Sequence, residues 1–168
     1  MTKALIIIDI QNEYFSGGKL QLWNTEKTLD NLKQAIQKAK EKGIKPILIR
    51  HVSPSEQAPF FAKGSEGVEI HPEILALAED AIVIEKKFAD SFLETNLENV
   101  LTEKGIEELY ICGMMTQNCV THTSISRQAD KYKVNVLADC CTTTDELIHN
   151  IALDGISPKV NLISLNDL

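Results

Sequence analysis

Five consecutive apolar residues, Ala4 to Ile8, stand near the start of the chain and end on a carboxylate, Asp9. A strand with one face in water alternates apolar and polar residues. An unbroken run demands burial on both faces, as in a central strand of a parallel sheet. Short apolar runs recur at 45–51, 81–85, 107–113, 133–139 and 160–164, separated by stretches of helical pattern. That alternation predicts βαβ units and a six-stranded α/β fold. Between the first two runs, Leu29, Leu32, Ile36 and Ala39 recur at helical spacing, Asn24 or Thr25 can cap the start, and Gly43 marks the stop. Further helices are expected over 93–104, 117–131 and 144–154. Residues 52–69, VSPSEQAPFFAKGSEGVE, carry no period and read as a lid or an oligomer contact anchored by Phe60 and Phe61.

The 168 residues are 43% apolar, enough for a real core, and a single domain over 1–168 is expected. A net charge of −7 without a basic cluster argues against nucleic acid as a partner. No apolar stretch approaches the ~18 to 20 residues that span a bilayer, and the first residues lack a signal-peptide pattern. No membrane partner and a cytoplasmic address are therefore expected. In that reducing setting the four cysteines, Cys112, Cys119, Cys140 and Cys141, are thiols, and without a CxxC pair they offer no zinc framework.

Ligands of open α/β sheets bind beyond the carboxyl ends of the strands, where the strand order reverses. Asp9 marks such an end. It either meets substrate there or caps the turn formed by residues 11–13. At 109–123 the chain reads LYICGMMTQNCVTHT. Thr116 as a helix N-cap would put Cys119 in the first turn, where unpaired N–H groups and the helix dipole lower a thiol pKa and can hold an oxyanion. Cys112, inside a strand, reads as an inert small hydrophobe, and Cys140 and Cys141, at the end of the fifth strand, as core or rim thiols. No histidine is spaced to serve Cys119 as a base, His122 being the only near candidate. With strands ordered 3-2-1-4-5-6, Asp9 becomes the partner instead, and Lys86 or Lys87, after the third strand, supplies a compensating cation. Neighbouring residues of an extended segment point to opposite sides, so one lysine faces the site and the other faces water.

The segments DIQNEYF, EKKFADSF and GMMTQNCVTHTS, in this order and spacing, resemble the isochorismatase-like cysteine hydrolases over nearly the whole chain. The resemblance implies a Rossmann-like three-layer α/β/α sandwich and hydrolysis of an amide or related C–N bond through a thioester. It assigns a catalytic triad to Asp9, Lys86 and Cys119, an oxyanion hole to the N–H groups of Met115 and Cys119, and a cis bond between Met114 and Met115. Homo-oligomers, dimers or tetramers, are common among such relatives. Nicotinamidase-like members build a metal site on a DxH motif after the second strand. The corresponding RHVSPSEQAPFF lacks that aspartate, so no metal and no cofactor is expected. His51 then reads as a pocket wall or a structural hydrogen-bonding residue. Phe15 and Phe60, with Trp23 and Met115, are candidates for an apolar substrate lining. Two other functions remain on the same fold: cleavage of a vinyl ether, as in isochorismatases proper, and small-molecule binding without catalysis. A phosphatase would want a second aspartate where Gln11 stands.

Overall fold

The structure is a computed structural model that describes all 168 residues. Six strands, β1 (Thr2–Ile8), β2 (Lys45–His51), β3 (Ile82–Lys86), β4 (Ile106–Met114), β5 (Lys133–Thr142) and β6 (Asn161–Ile163), form one sheet in the order β3-β2-β1-β4-β5-β6. Every pairing is parallel. β1 is central, and its Leu5 to Ile8 are at most 1% exposed, as the unbroken apolar run requires. Burying each such side chain is worth roughly 1.5–3 kcal/mol.

Five α-helices connect the strands: α1 (Thr25–Glu41), α2 (Pro72–Leu77), α3 (Leu97–Glu103), α4 (Thr121–Ser124) and α5 (Glu146–Ile156). Right-handed crossovers run one way from β1 and the other way from β4, so the two sets of helices cover opposite faces of the sheet. Accordingly α1 packs against α2, and α4 against α5. Leu29, Leu32, Ile36 and Ala39 form the buried stripe of α1, and Gly43 follows its end with φ +68°. The sheet's switch point lies between β1 and β4, whose carboxyl ends diverge just beyond Ile8 and Gly113, a paired couple. Gly113 is obligatory there: a Cβ on it would lie 2.1 Å from the Ile8 carbonyl oxygen, and its φ is +122°.

Three expectations need correction. The helix expected over 117–131 is a π-turn at Thr116–Val120, the single turn α4, and a 3-10 turn at Arg127–Lys131. Thr121 Oγ1 and Ser124 Oγ donate to the carbonyls of Thr116 and Val120, local bonds that compete with a regular helix. β5 continues through Cys140 and Cys141, which are buried inside the strand rather than ending it. The helix α2 had no sequence counterpart, because six residues are too few to show a period. Its signals are Pro72 at the first position and the His71 side chain, which accepts from Glu73 N.

Candidate active site

Three strand ends converge on one point. Asp9 directly follows β1, Lys86 closes β3, and Cys119 sits in the π-turn after β4. His51 closes β2 and lies opposite Lys86 in the strand register. Asp9 is 0% exposed, Lys86 1% and Cys119 3%. The Lys86 ammonium stands 2.9 Å from Asp9 Oδ2 and donates to Cys119 Sγ at 3.2 Å. His51 Nδ1 lies 2.9 Å from the same nitrogen. An ammonium only donates, so Nδ1 must carry the lone pair and Nε2 the proton.

Parity along β3 explains which lysine enters. Ile84 and Lys86 point inward, whereas Glu85 and Lys87 are exposed. Asp9 adopts a left-handed φ of 53°, unusual for a residue with a Cβ, and its N–H donates to the Ile49 carbonyl at 3.0 Å. This bend turns the carboxylate off the strand axis. Neither carboxylate oxygen has a well-aligned hydrogen-bond donor, and both are shut off from water. The buried Lys86 ammonium is the compensating charge of Asp9.

The electrostatics reverse one expectation. Burial foremost, and then the Asp9 carboxylate, push the Cys119 thiol up to about 12, against a weaker downward pull from Lys86. The turn around Cys119 is not a regular helix and offers no long dipole, so the resting sulfur is a protonated thiol. Burial tends to lower Lys86, but the charge of Asp9 and the nearby sulfur outweigh it, and the lysine rests above its ordinary value. His51 is lowered by burial and by Lys86, and stays neutral.

The shell around this group is built by the turn after Asp9. Gln11, fully buried, donates from Nε2 to the carbonyls of His51 and Val68 at 2.8 and 2.7 Å, and accepts from His51 N at 2.9 Å. Glu13, 3% exposed, accepts from Lys19 N at 3.0 Å and from Phe61 N at 2.9 Å. Gly67 leaves room for that carboxylate, since a Cβ there would come within 2.7 Å of it. Phe61 thereby packs edge-on against His51 and Tyr14, with ring centroids 5.4 and 5.0 Å apart. On the far side, Thr116 does not cap the turn. Its hydroxyl lies 2.8 Å from His149 Nδ1, while Gln117 accepts from Thr143.

Of the residues singled out in the sequence, Asp9, Lys86, Cys119 and His51 meet. The Met114–Met115 bond is cis, and Met115 leads into the π-turn. Phe15 is buried against His71, with centroids 4.6 Å apart, and Phe60 is 40% exposed, so neither belongs to this group. Phe61 is the anchor of the 52–69 segment. His122 is exposed and bonds to the Asn118 carbonyl. Gln11, Glu13 and Tyr14 were missed because polar residues in a turn look solvated until the burial of their partners is known. For His51 the sequence leaves a pocket wall or a structural hydrogen-bonding residue open, and the contact with Lys86 fits the second; that Lys86 is the partner depends on the β2–β3 register, which a sequence does not display. No helix is long and apolar enough to cross a membrane. After β2 the chain offers no DxH arrangement for a nicotinamidase-type metal. Asp9, His51 and Cys119 alone bring three metal-binding atoms within 4.8 Å of one another.

The parallel α/β sandwich thus carries an acid, an ammonium and a thiol together at its switch point. Comparison with known proteins gives this arrangement a family. The isochorismatase domain model matches residues 3–167. Isochorismatase family protein YddQ of Bacillus subtilis is 37% identical over 86% of this chain and 79% of its own length. Ureidoacrylate amidohydrolase RutB of Acinetobacter baylyi is 30% identical over 71% of this chain and 62% of its own. The crystal structure of an isochorismatase hydrolase from Oleispira antarctica superposes with a TM-score of 0.91 at 30% identity, covering 99% of this chain and 95% of that one. The chain belongs to the isochorismatase family of hydrolases.

Proposed function

We propose that the protein hydrolyses an amide or related C–N bond of a small molecule, with Cys119 as nucleophile, Asp9 as general base and acid, and Lys86 as the compensating cation. One observation carries this reading: Lys86 Nζ stands 2.9 Å from the Asp9 carboxylate and 3.2 Å from Cys119 Sγ, with all three side chains buried at the sheet's switch point. Because the resting sulfur is protonated, the first step is transfer of its proton to Asp9 as the thiolate attacks the substrate carbonyl carbon. The N–H groups of Met115 and Cys119 receive the oxyanion. The tetrahedral intermediate collapses with breakage of the C–N bond, and Asp9 returns the proton to the leaving nitrogen. A thioester remains. Water, losing a proton to Asp9, attacks it, and the acid product leaves as the proton passes back to sulfur.

Lys86 holds Asp9 in place in a site that excludes water, and it balances the charge that moves between carboxylate and sulfur. His51, fixed through its backbone by Gln11 and packed edge-on against Phe61, orients Lys86. The RutB resemblance favours a carbamoyl, ureido or primary amide substrate over a vinyl ether. Intact-protein mass spectrometry after quenched turnover of a panel of such amides, screened by ammonia release, should find the acyl adduct on Cys119. An adduct on Cys112, Cys140 or Cys141, with full activity in Cys119→Ala, overturns the reading. We propose further that the chain acts as a single domain in the cytoplasm and assembles into homo-oligomers, which sedimentation tests.

A further inference from the structure

Lys86 occupies an unusual place: it fills the centre of a metal-ligand set. The three donors around its nitrogen are a carboxylate oxygen at 2.9 Å, an imidazole nitrogen at 2.9 Å and a sulfur at 3.2 Å. Those donor atoms lie within 4.8 Å of one another, the only such trio of histidine, cysteine and acidic side chains in the molecule. A carboxylate, a neutral imidazole and a thiolate are the ligand types that suit zinc in an open three-ligand site. Zinc needs about 2.0–2.2 Å to oxygen or nitrogen and about 2.3 Å to sulfur. The donors must then close on the centre by a little under an ångström each.

Little holds them back. Outside Lys86 and Cys119 themselves, neither Asp9 oxygen has a hydrogen-bond donor. Nδ1 of His51 and Sγ of Cys119 have Lys86 as their hydrogen-bond partner. Charge is conserved as well. Removing the ammonium and the thiol proton takes away two positive charges, and a divalent cation restores them, so the buried site stays neutral in both forms.

We propose that Asp9, His51 and Cys119 constitute a latent site for a thiophilic divalent cation, and that the Lys86 ammonium is the resident cation that keeps the metal out. A metal entering the vacated centre forms bonds to the Asp9 oxygen, His51 Nδ1 and Cys119 Sγ, and releases the thiol proton to solvent. Hard cations such as Mg²⁺ gain little from sulfur and are excluded by the same donor set. The nicotinamidase-type site is built on a different motif, which is missing here.

Equilibrium dialysis with Zn²⁺, and optical titration with Co²⁺, test this on the full-length wild type, Lys86→Ala, and Lys86→Ala combined with His51→Ala or Cys119→Ser. Lys86→Ala should bind one equivalent, with an affinity about a hundredfold or more above wild type, and show a cobalt–thiolate charge-transfer band. Loss of one ligand should reverse the gain about 10–100-fold, the range typical when a metal site is disturbed. Cys119→Ser should also abolish the band. Should Lys86→Ala fail to fold, Lys86→Ser leaves comparable room and answers the same question. Stoichiometric Zn²⁺ in the wild type at neutral pH, no gain in either lysine variant, or a band that survives Cys119→Ser overturns the proposal. The readout is bound metal, not turnover, so its failure leaves the acyl-adduct test on Cys119 independent.

Discussion

Two buried acids lie at opposite ends of the same sheet. Glu108, at the amino end of β4, is 3% exposed and accepts from Asn135 Nδ2 at 2.9 Å and Tyr110 Oη at 3.3 Å. Lys133 and Lys3 stand 3.0 and 3.7 Å away, and both are partly in water. Asp9, at the carboxyl end of β1, has a single fully buried lysine and no well-aligned hydrogen bond. Burial raises Glu108, but the bonds from Lys133 and Asn135 outweigh it and hold the carboxyl below its ordinary range. The structural carboxylate is saturated with donors, whereas the one to which the proposed mechanism gives the proton transfers is left with lone pairs to spare.

Breaking the under-satisfied end should cost activity first. Lys86→Ala is expected to lower kcat by about four orders of magnitude in a protein that still folds, as when one member of a catalytic unit is lost. Measured beside Lys87→Ala, near-normal turnover in Lys86→Ala would contradict the inward assignment. The next largest effect concerns the thiol. With Cys119 pushed up to about 12 against an ordinary 9.0, its resting thiolate is roughly a thousandfold scarcer than that of a free thiol. Alkylation of substrate-free enzyme by iodoacetamide, followed by peptide mass spectrometry, should be correspondingly slow at neutral pH. Its rate should keep rising with pH past 9.0 without a plateau.

At the saturated end the expected loss is in stability. Glu108→Ala should destabilise by about 1–3 kcal/mol, by leaving Asn135 and Tyr110 without their acceptor, with kcat unchanged. Because the folded carboxyl is depressed, its contribution is complete above the ordinary glutamate value and disappears as pH falls through the lower folded value. The gap in Tm between wild type and Glu108→Gln should therefore narrow in acid. Smallest of all, Lys87→Ala should change stability by no more than about 0.5 kcal/mol. Dialysis against a chelator should leave turnover where it was, since the Lys86 ammonium already supplies the positive charge.

The contrast between these ends also marks what a sequence can disclose. The unbroken run 4–8 and the alternation of strands and α1 were readable because periodicity reports burial directly, whereas the strand order followed only from the common doubly wound arrangement. Also readable were Asp9, Lys86 and Cys119, each tied to a strand end. The π-turn was not: hydroxyl-to-carbonyl bonds from Thr121 and Ser124 decide its geometry, and residue types alone do not reveal them. The direction of the Cys119 shift was misjudged for a related reason. A helix dipole can be guessed from position, whereas desolvation depends on how completely the assembled chain buries the sulfur.

The Glu13 carboxylate carries an implication for how this fold tolerates change. It joins the backbone of the 52–69 segment to the turn that follows Asp9, through Phe61 N, and it rests where Gly67 has no side chain. The segment is thereby divided into a free part and a tethered part. Residues 54–57 lie exposed at its tip, while Phe61, Ala62 and Val68 are buried. Insertions, deletions or grafted peptides at the tip should leave the shell around Asp9 unchanged, because the tip's span is fixed at Ser53 and Phe61, whose N–H and carbonyl are 2.9 Å apart. A change of length between Phe61 and Gly67 would instead disturb the contacts of Phe61 with Glu13, Tyr14 and His51. Changes in the tethered half therefore reach the buried group around Asp9, and changes in the free half reach only the surface.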